Sequence, residues 1–103
     1  MEIKYGNEVI EVKEREAEIW NRLVMLSMSG STGDIGDFAD LGSRQSVGGV
    51  ISSLIQKDLV WASDLVDFDR SGSVDLWPCH PEHGATFWCD CTGDDEAKSL
   101  LAA

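Results

Sequence analysis

Residues 43–57, SRQSVGGVISSLIQK, carry the clearest periodicity in the chain. Val47, Val50, Ile51, Leu54 and Ile55 fall at i, i+3, i+4, i+7 and i+8, the apolar face of an amphipathic helix packed along one side. Ser43 is suited to be its N-cap, and the helix is expected to run to about Lys57. The opposite face holds Gln45, Gly49, Ser52, Ser53 and Gln56, all small or neutral, with Arg44 and Lys57 at the two ends. Gly48 and Gly49 each cost roughly 1 kcal/mol in helix propensity. Two readings of that cost stand: the glycines admit another backbone, of DNA or of a protein, at close range, or they relieve crowding against a neighbouring helix.

Upstream, residues 1–12 alternate around Gly6-Asn7 and read as a short hairpin or single strand. Lys13 to Met28 changes period: Ile19, Trp20, Leu23, Val24 and Leu26 form a stripe at helical spacing, and Glu14, Glu16 and Glu18 suit the positive end of the helix dipole. Ser29-Gly30 ends that helix. Ser31 or Thr32 is the expected cap of a short second helix with Ile35, Phe38 and Ala39 inward, Asp34, Asp37 and Asp40 outward, and Gly42 as its stop. Downstream, Leu59–Ala62 with Leu65-Val66 reads as a strand, Asp67–Gly72 as a turn and Val74–Trp77 as the returning strand. Pro78–Gly84 reads as loop, Ala85–Cys91 as one more strand, and Asp94–Leu101 as a frayed terminal helix.

Three helices followed by a hairpin, with DIGDFADLGSRQSVGGVISSLIQKDLV at residues 34–60, resemble a winged helix-turn-helix domain. The stretch is similar to the core of MarR-like and related prokaryotic or phage transcriptional regulators, in which a short helix, a tight turn, a recognition helix and a K-x-L-V lead-in to the wing recur. The resemblance spans residues 14–77 and implies an α+β fold: a three-helix core plus β-hairpin wing, preceded by the extended segment 1–13 and followed by an acidic Cys/His-containing extension, 78–103. It further implies that helix 43–57 enters the DNA major groove and the hairpin tip grips the backbone. Carried over by position, Arg44, Gln45 and Ser46 lie at the groove end, Gly49, Ser52 and Ser53 along the exposed side, and Arg70 at the wing tip. Gln reading adenine and Arg reading guanine are the chemically sensible pairings.

The charge constrains this reading. Nineteen acids against eight bases give a net charge of -11 in 103 residues, which excludes a nonspecific nucleic-acid coat, since a phosphate backbone must be met by cations. Residues 1–29 hold four bases and six acids, 30–63 two and four, and 64–103 two and nine, so the acid load sits mainly behind the helix-turn-helix. The leading expectation is a sequence-specific regulator binding double-stranded DNA, as a homodimer on a two-fold site. Its rival is an acidic winged-helix module, an inhibitor or DNA mimic, that occupies another protein's basic groove. Adaptation to high salt is a third source of such acidity.

Other features narrow the chemistry. No apolar leader or membrane-length span is present, so a cytoplasmic address is expected. Cys79, His83, Cys89 and Cys91 form a set that zinc would accept, although Cys-x-Cys spacing also follows from ordinary packing of buried thiols; no other cofactor is expected. Asp67–Asp75 copies the first nine positions of an EF-hand-like calcium loop, but Pro78 stands where a bidentate Glu is required. Trp61, Trp77, Trp88 and Phe87 read as core and wing packing. No phosphate loop or spaced nucleophile motif appears, and the chain is not expected to be an enzyme.

Overall fold

A computed structural model describes residues 1–63 and 74–103. The chain opens with a hairpin, β1 (Glu2–Tyr5) and β2 (Glu8–Glu11), followed by helix α1 (Glu14–Met28), a 3₁₀ helix (Ile35–Leu41) and helix α2 (Arg44–Gln56). Strands β3 (Val60–Ala62), β4 (Leu76–His80) and β5 (Gly84–Ala85) form a second antiparallel sheet in the order β3-β4-β5. A 3₁₀ turn (Trp88–Asp90) and helix α3 (Asp94–Ser99) close the chain. The fold is α+β. No helix among the described residues is long and apolar enough to cross a membrane.

One core gathers side chains from along the described residues: Ile3 from β1, Ile19, Trp20, Leu23 and Val24 from α1, Val47, Ile51 and Leu54 from α2, then Leu76, Trp88, Ala97 and Leu100. The alternation in β1–β2 places Ile3 inward and pairs it with Ile10 across the hairpin. The terminal helix is docked: the Trp20 indole N–H donates to Leu100 O at 2.8 Å, and Ala103 exchanges two backbone hydrogen bonds with Glu2.

The second helix departs from the expected form. Thr32-Gly33 stays extended because Gly33 bridges Leu76 on β4, donating to Leu76 O at 3.0 Å and accepting from Leu76 N at 2.8 Å. The cap therefore moves to Asp34, whose carboxylate accepts from Gly36 N, while Asp37 Oδ2 accepts from Asp34 N. A 3₁₀ helix eclipses residues three apart, so Ile35, Phe38 and Leu41 pack inward and Ala39 is exposed. A Cβ at Gly33 would collide with Leu23 Cδ2, which accounts for glycine at this crossing.

The segment expected as loop from Pro78 instead continues β4 to His80, and the chain returns as β5. Backbone groups alternate along a strand. Leu76 turns its own away from β3 toward Gly33, Cys79 N donates back to Leu59 O, and Pro78, between them, faces away from β3. Its missing N–H thus falls where no bond to β3 is needed, and its carbonyl accepts from the Trp88 indole at 3.0 Å. The strand expected over 85–91 ends at Ala85. Ser27 Oγ donates to Thr86 O and accepts from Trp88 N, pulling the backbone out of the ladder and the indole into the core.

Helix α2 ends in a Schellman motif: Asp58 N donates to Ile55 O, Leu59 N to Leu54 O, and Asp58 sits in the left-handed region at φ 60°. Glycine adopts this conformation without the Cβ penalty. Asp58→Gly is therefore expected to stabilise the fold by about 1 kcal/mol, read as a higher urea midpoint at unchanged m; an unchanged or lower midpoint would contradict the cap.

Candidate nucleic-acid interface

Helix α2 is capped as its sequence implies, with Ser43 Oγ accepting from Ser46 N at 3.1 Å. Val47, Gly48, Ile51 and Leu54 are buried, and the outer stripe is Gln45, Gly49, Ser52 and Gln56, exposed apart from the half-buried Ser52. Arg44 is exposed in the first turn beside Gln45. A Cβ at Gly49 would meet nothing within 4 Å, so this glycine relieves no crowding. Gly48 is the one turned into the protein.

Two serines placed at the interface by position are engaged with α1 instead. Ser46 Oγ accepts from Arg15 Nη1 at 2.9 Å, and Ser53 Oγ donates to Glu16 Oε2 at 2.8 Å. Lys57 Nζ lies 2.9 Å from both Glu16 oxygens, and Lys13 N donates to Oε1 at 2.9 Å. Burial alone would raise the Glu16 pKa. The hydrogen bonds from Lys13, Lys57 and Ser53, with the Lys57 charge, outweigh burial and hold it below the ordinary carboxylate range. Lys57 is thus a fastener between the helices, and the rotation of α2 about its axis is set from α1.

A cavity of about 420 Å³ opens between the N-terminal end of α1 and this side of α2, lined by Lys13 and Arg15, by the acids Glu14 and Glu16, and by Ser46, Gly49, Val50 and Ser53. Arg15 and Lys13 belong to the candidate surface and were invisible to helical periodicity, because they stand on a different element. Their signal lay in scarcity: they are two of only eight cations, masked by six acids in the same segment.

The outward acids of the 3₁₀ helix have internal partners. Asp34 and Asp37 cap it, and Asp40 receives a bidentate pair from Arg22 at 2.8 and 2.7 Å, with Glu18 on the same guanidinium. That guanidinium holds the Asp40 carboxyl below its ordinary range. Strands β3 and β4 pair with Trp61 opposite Trp77. Arg70 and the calcium-loop-like positions 67–73 lie outside the described residues.

The structure does not bring the zinc candidates together; among the described residues, no three His, Cys, Asp or Glu side chains converge on a metal position. Cys79 is half-buried on β4, and burial, then Asp58, push its thiol up to about 11, which opposes the thiolate that zinc needs. Cys89 is exposed beside Asp90, and the Cys91 thiol sits 3.3 Å from Thr92 Oγ1. His83 is exposed, with its ring over His80. No family model, curated protein or solved structure matches the chain.

Proposed function

We infer that the chain is a winged-helix protein that binds double-stranded DNA through α2, as a homodimer on a two-fold site. The observation that carries the reading is charge placement. In a chain with 19 acids, α2 is thirteen residues long without one, begins at Arg44, and turns a neutral polar stripe outward. Such a surface is suited to base edges, with Arg44 and Gln45 as hydrogen-bonding groups and Gly49 as the point of closest approach. Arg15 and Lys13, beside Ser46 and Gly49, are exposed cations within reach of a phosphate, and Glu16 next to them is neutralised by Lys57, which leaves Glu14 as the opposing charge. The element order α1, 3₁₀ helix, α2 and β3–β4 hairpin supports the winged helix-turn-helix resemblance, and the Gly33–Leu76 bridge extends the sheet with a strand-like segment between the first two helices.

Fluorescence anisotropy with random and genomic duplexes at low salt tests the reading. Binding is expected, weakened about tenfold or more by Arg44→Ala and by Gly49→Glu, which puts a carboxylate at the approach point. Gly49→Glu enters open space on a helix, so folding should be retained. No binding at micromolar protein would overturn the assignment, and binding untouched by both substitutions would remove α2 from the interface.

A further inference from the structure

A second surface shares no residue with the α2 face. Between α1 and the 3₁₀ helix runs a groove of about 520 Å³, lined by Glu18, Arg22, Met25, Leu26, Asp37 and Phe38 among others. Along α1, positions 18, 22, 25 and 29 recur at helical spacing, so the groove follows three turns, roughly 16 Å. Met25 is 57% exposed at its middle, a large apolar side chain left in solvent on the most extensive helix of the fold. The flanks are acidic. Arg22 is already held by both Glu18 and Asp40, and Asp37 adds a further exposed carboxylate. The rim therefore keeps a net negative charge around an apolar floor.

We propose that this groove docks an amphipathic helix of a partner protein, with an apolar side chain over Met25 and Leu26 and Lys or Arg facing Glu18 and Asp37. Charge complementarity selects this occupant. A second copy of the chain supplies it poorly among the described residues: α3 presents Asp94, Asp95 and Glu96 against Lys98 alone, α1 presents Glu14 and Glu18 beside Arg15, and α2 carries Arg44 as its single cation on a polar stripe. The inference stands apart from the DNA reading, and the two surfaces can be engaged together.

The test is a titration of the full chain with a designed Leu/Lys amphipathic helix of about 14 residues, followed by amide chemical-shift mapping, with a Leu/Glu helix as control. Saturable 1:1 binding is expected, with shifts concentrated on Asn21, Met25, Leu26, Ser29 and Asp37. Met25→Glu should weaken it at least about tenfold, and Glu18→Gln should lower its salt dependence. Because Met25 is exposed, the substituted chain should keep its fold, checked by circular dichroism. Neutralising Asp94, Asp95 and Glu96 together should change affinity by less than about twofold. The proposal is overturned by the absence of binding up to about 100 µM peptide, by shifts centred on α3, or by an affinity unmoved by Met25→Glu. A dimer that Met25→Glu converts to monomer in light scattering also overturns it, by making the groove a self-association surface.

Discussion

Trp88→Ala is expected to cost about 3–5 kcal/mol, the range for deleting a fully buried large aromatic side chain. Trp88 is completely enclosed, packs edge-on against Trp20 at 5.8 Å and against His80 at 5.0 Å, and donates its indole N–H to Pro78 O. Truncation leaves a cavity beneath α1 and a buried carbonyl without its donor. Small domains hold only about 5–15 kcal/mol in total, so the melting temperature should fall by roughly 15–30 °C. Trp88→Phe keeps part of the packing but loses the hydrogen bond and leaves a smaller cavity, so its cost should be clearly below that of Trp88→Ala. Trp61→Ala supplies the contrast: Trp61 is 45% exposed, and its loss, mainly the cross-strand contact with Trp77, should cost about 1 kcal/mol. Equal melting temperatures for Trp88→Ala and Trp61→Ala would mean that residues beyond β4 do not belong to the core.

The contrast between these tryptophans marks where sequence reading succeeds and fails. Helix α2 was legible because its information is local: the apolar face, Ser43 as cap and the polar stripe all lie within fifteen residues, and the fold places them as periodicity implies except for Ser53, which turns to the flank. The route of the chain after Pro78 was not legible. Its course depends on Ser27, which is 61 residues from Trp88 and whose hydroxyl is an unremarkable feature of α1 when read alone. The same limit applies to the second helix. Gly33 is claimed by Leu76, so the cap passes from the expected Ser31 or Thr32 to Asp34, which caps as well as serine and is boxed by Asp37; the local signals were equivalent and the long-range bridge chose between them.

At the candidate interface, periodicity gave the faces of α2, and cross-helix contacts decide how its flanking side chains are engaged. Gln45, Gly49 and Ser52 keep their outward placement. Ser46 and Ser53 lie on the flank of the same stripe, and their hydroxyls are taken by Arg15 and Glu16. A step of about 100° per residue separates exposed from flanking positions but says nothing of what the flank meets. Scarcity of cations would have been the better guide, since Arg15 and Lys57, two of the eight, are the ones that join α1 to α2.

The Glu16–Lys57 pair carries the second large effect. Glu16 is almost fully buried, while Lys57 keeps about a third of its side chain in solvent at 34%. Lys57→Met retains the aliphatic stem and removes the charge, leaving a buried carboxylate with only Ser53 Oγ and Lys13 N as donors. The expected loss at neutral pH is about 3 kcal/mol, at the low end for a broken buried pair because Lys57 is partly hydrated. Its pH dependence follows from the lowered Glu16 pKa. In the unfolded chain Glu titrates near about 4.3, so the pair's contribution is complete above that pH and is lost as pH falls through the lower folded value. In Lys57→Met the carboxylate can escape its burial by taking up a proton, so the gap between the two proteins should narrow as pH falls from 7 towards 3.5. Glu16→Gln should show a shallower acid slope than the parent over the same range. Urea unfolding across that range measures all three, and a gap constant with pH would show that Glu16 is not the group responsible. Because Glu16 is on α1 and both Ser53 and Lys57 are at the end of α2, the same substitution loosens the rotation that turns Gln45 and Gly49 outward. Under the proposed DNA reading, affinity should therefore fall in Lys57→Met although Lys57 itself is committed to Glu16, and it should fall less in Lys57→Arg, which restores the cation.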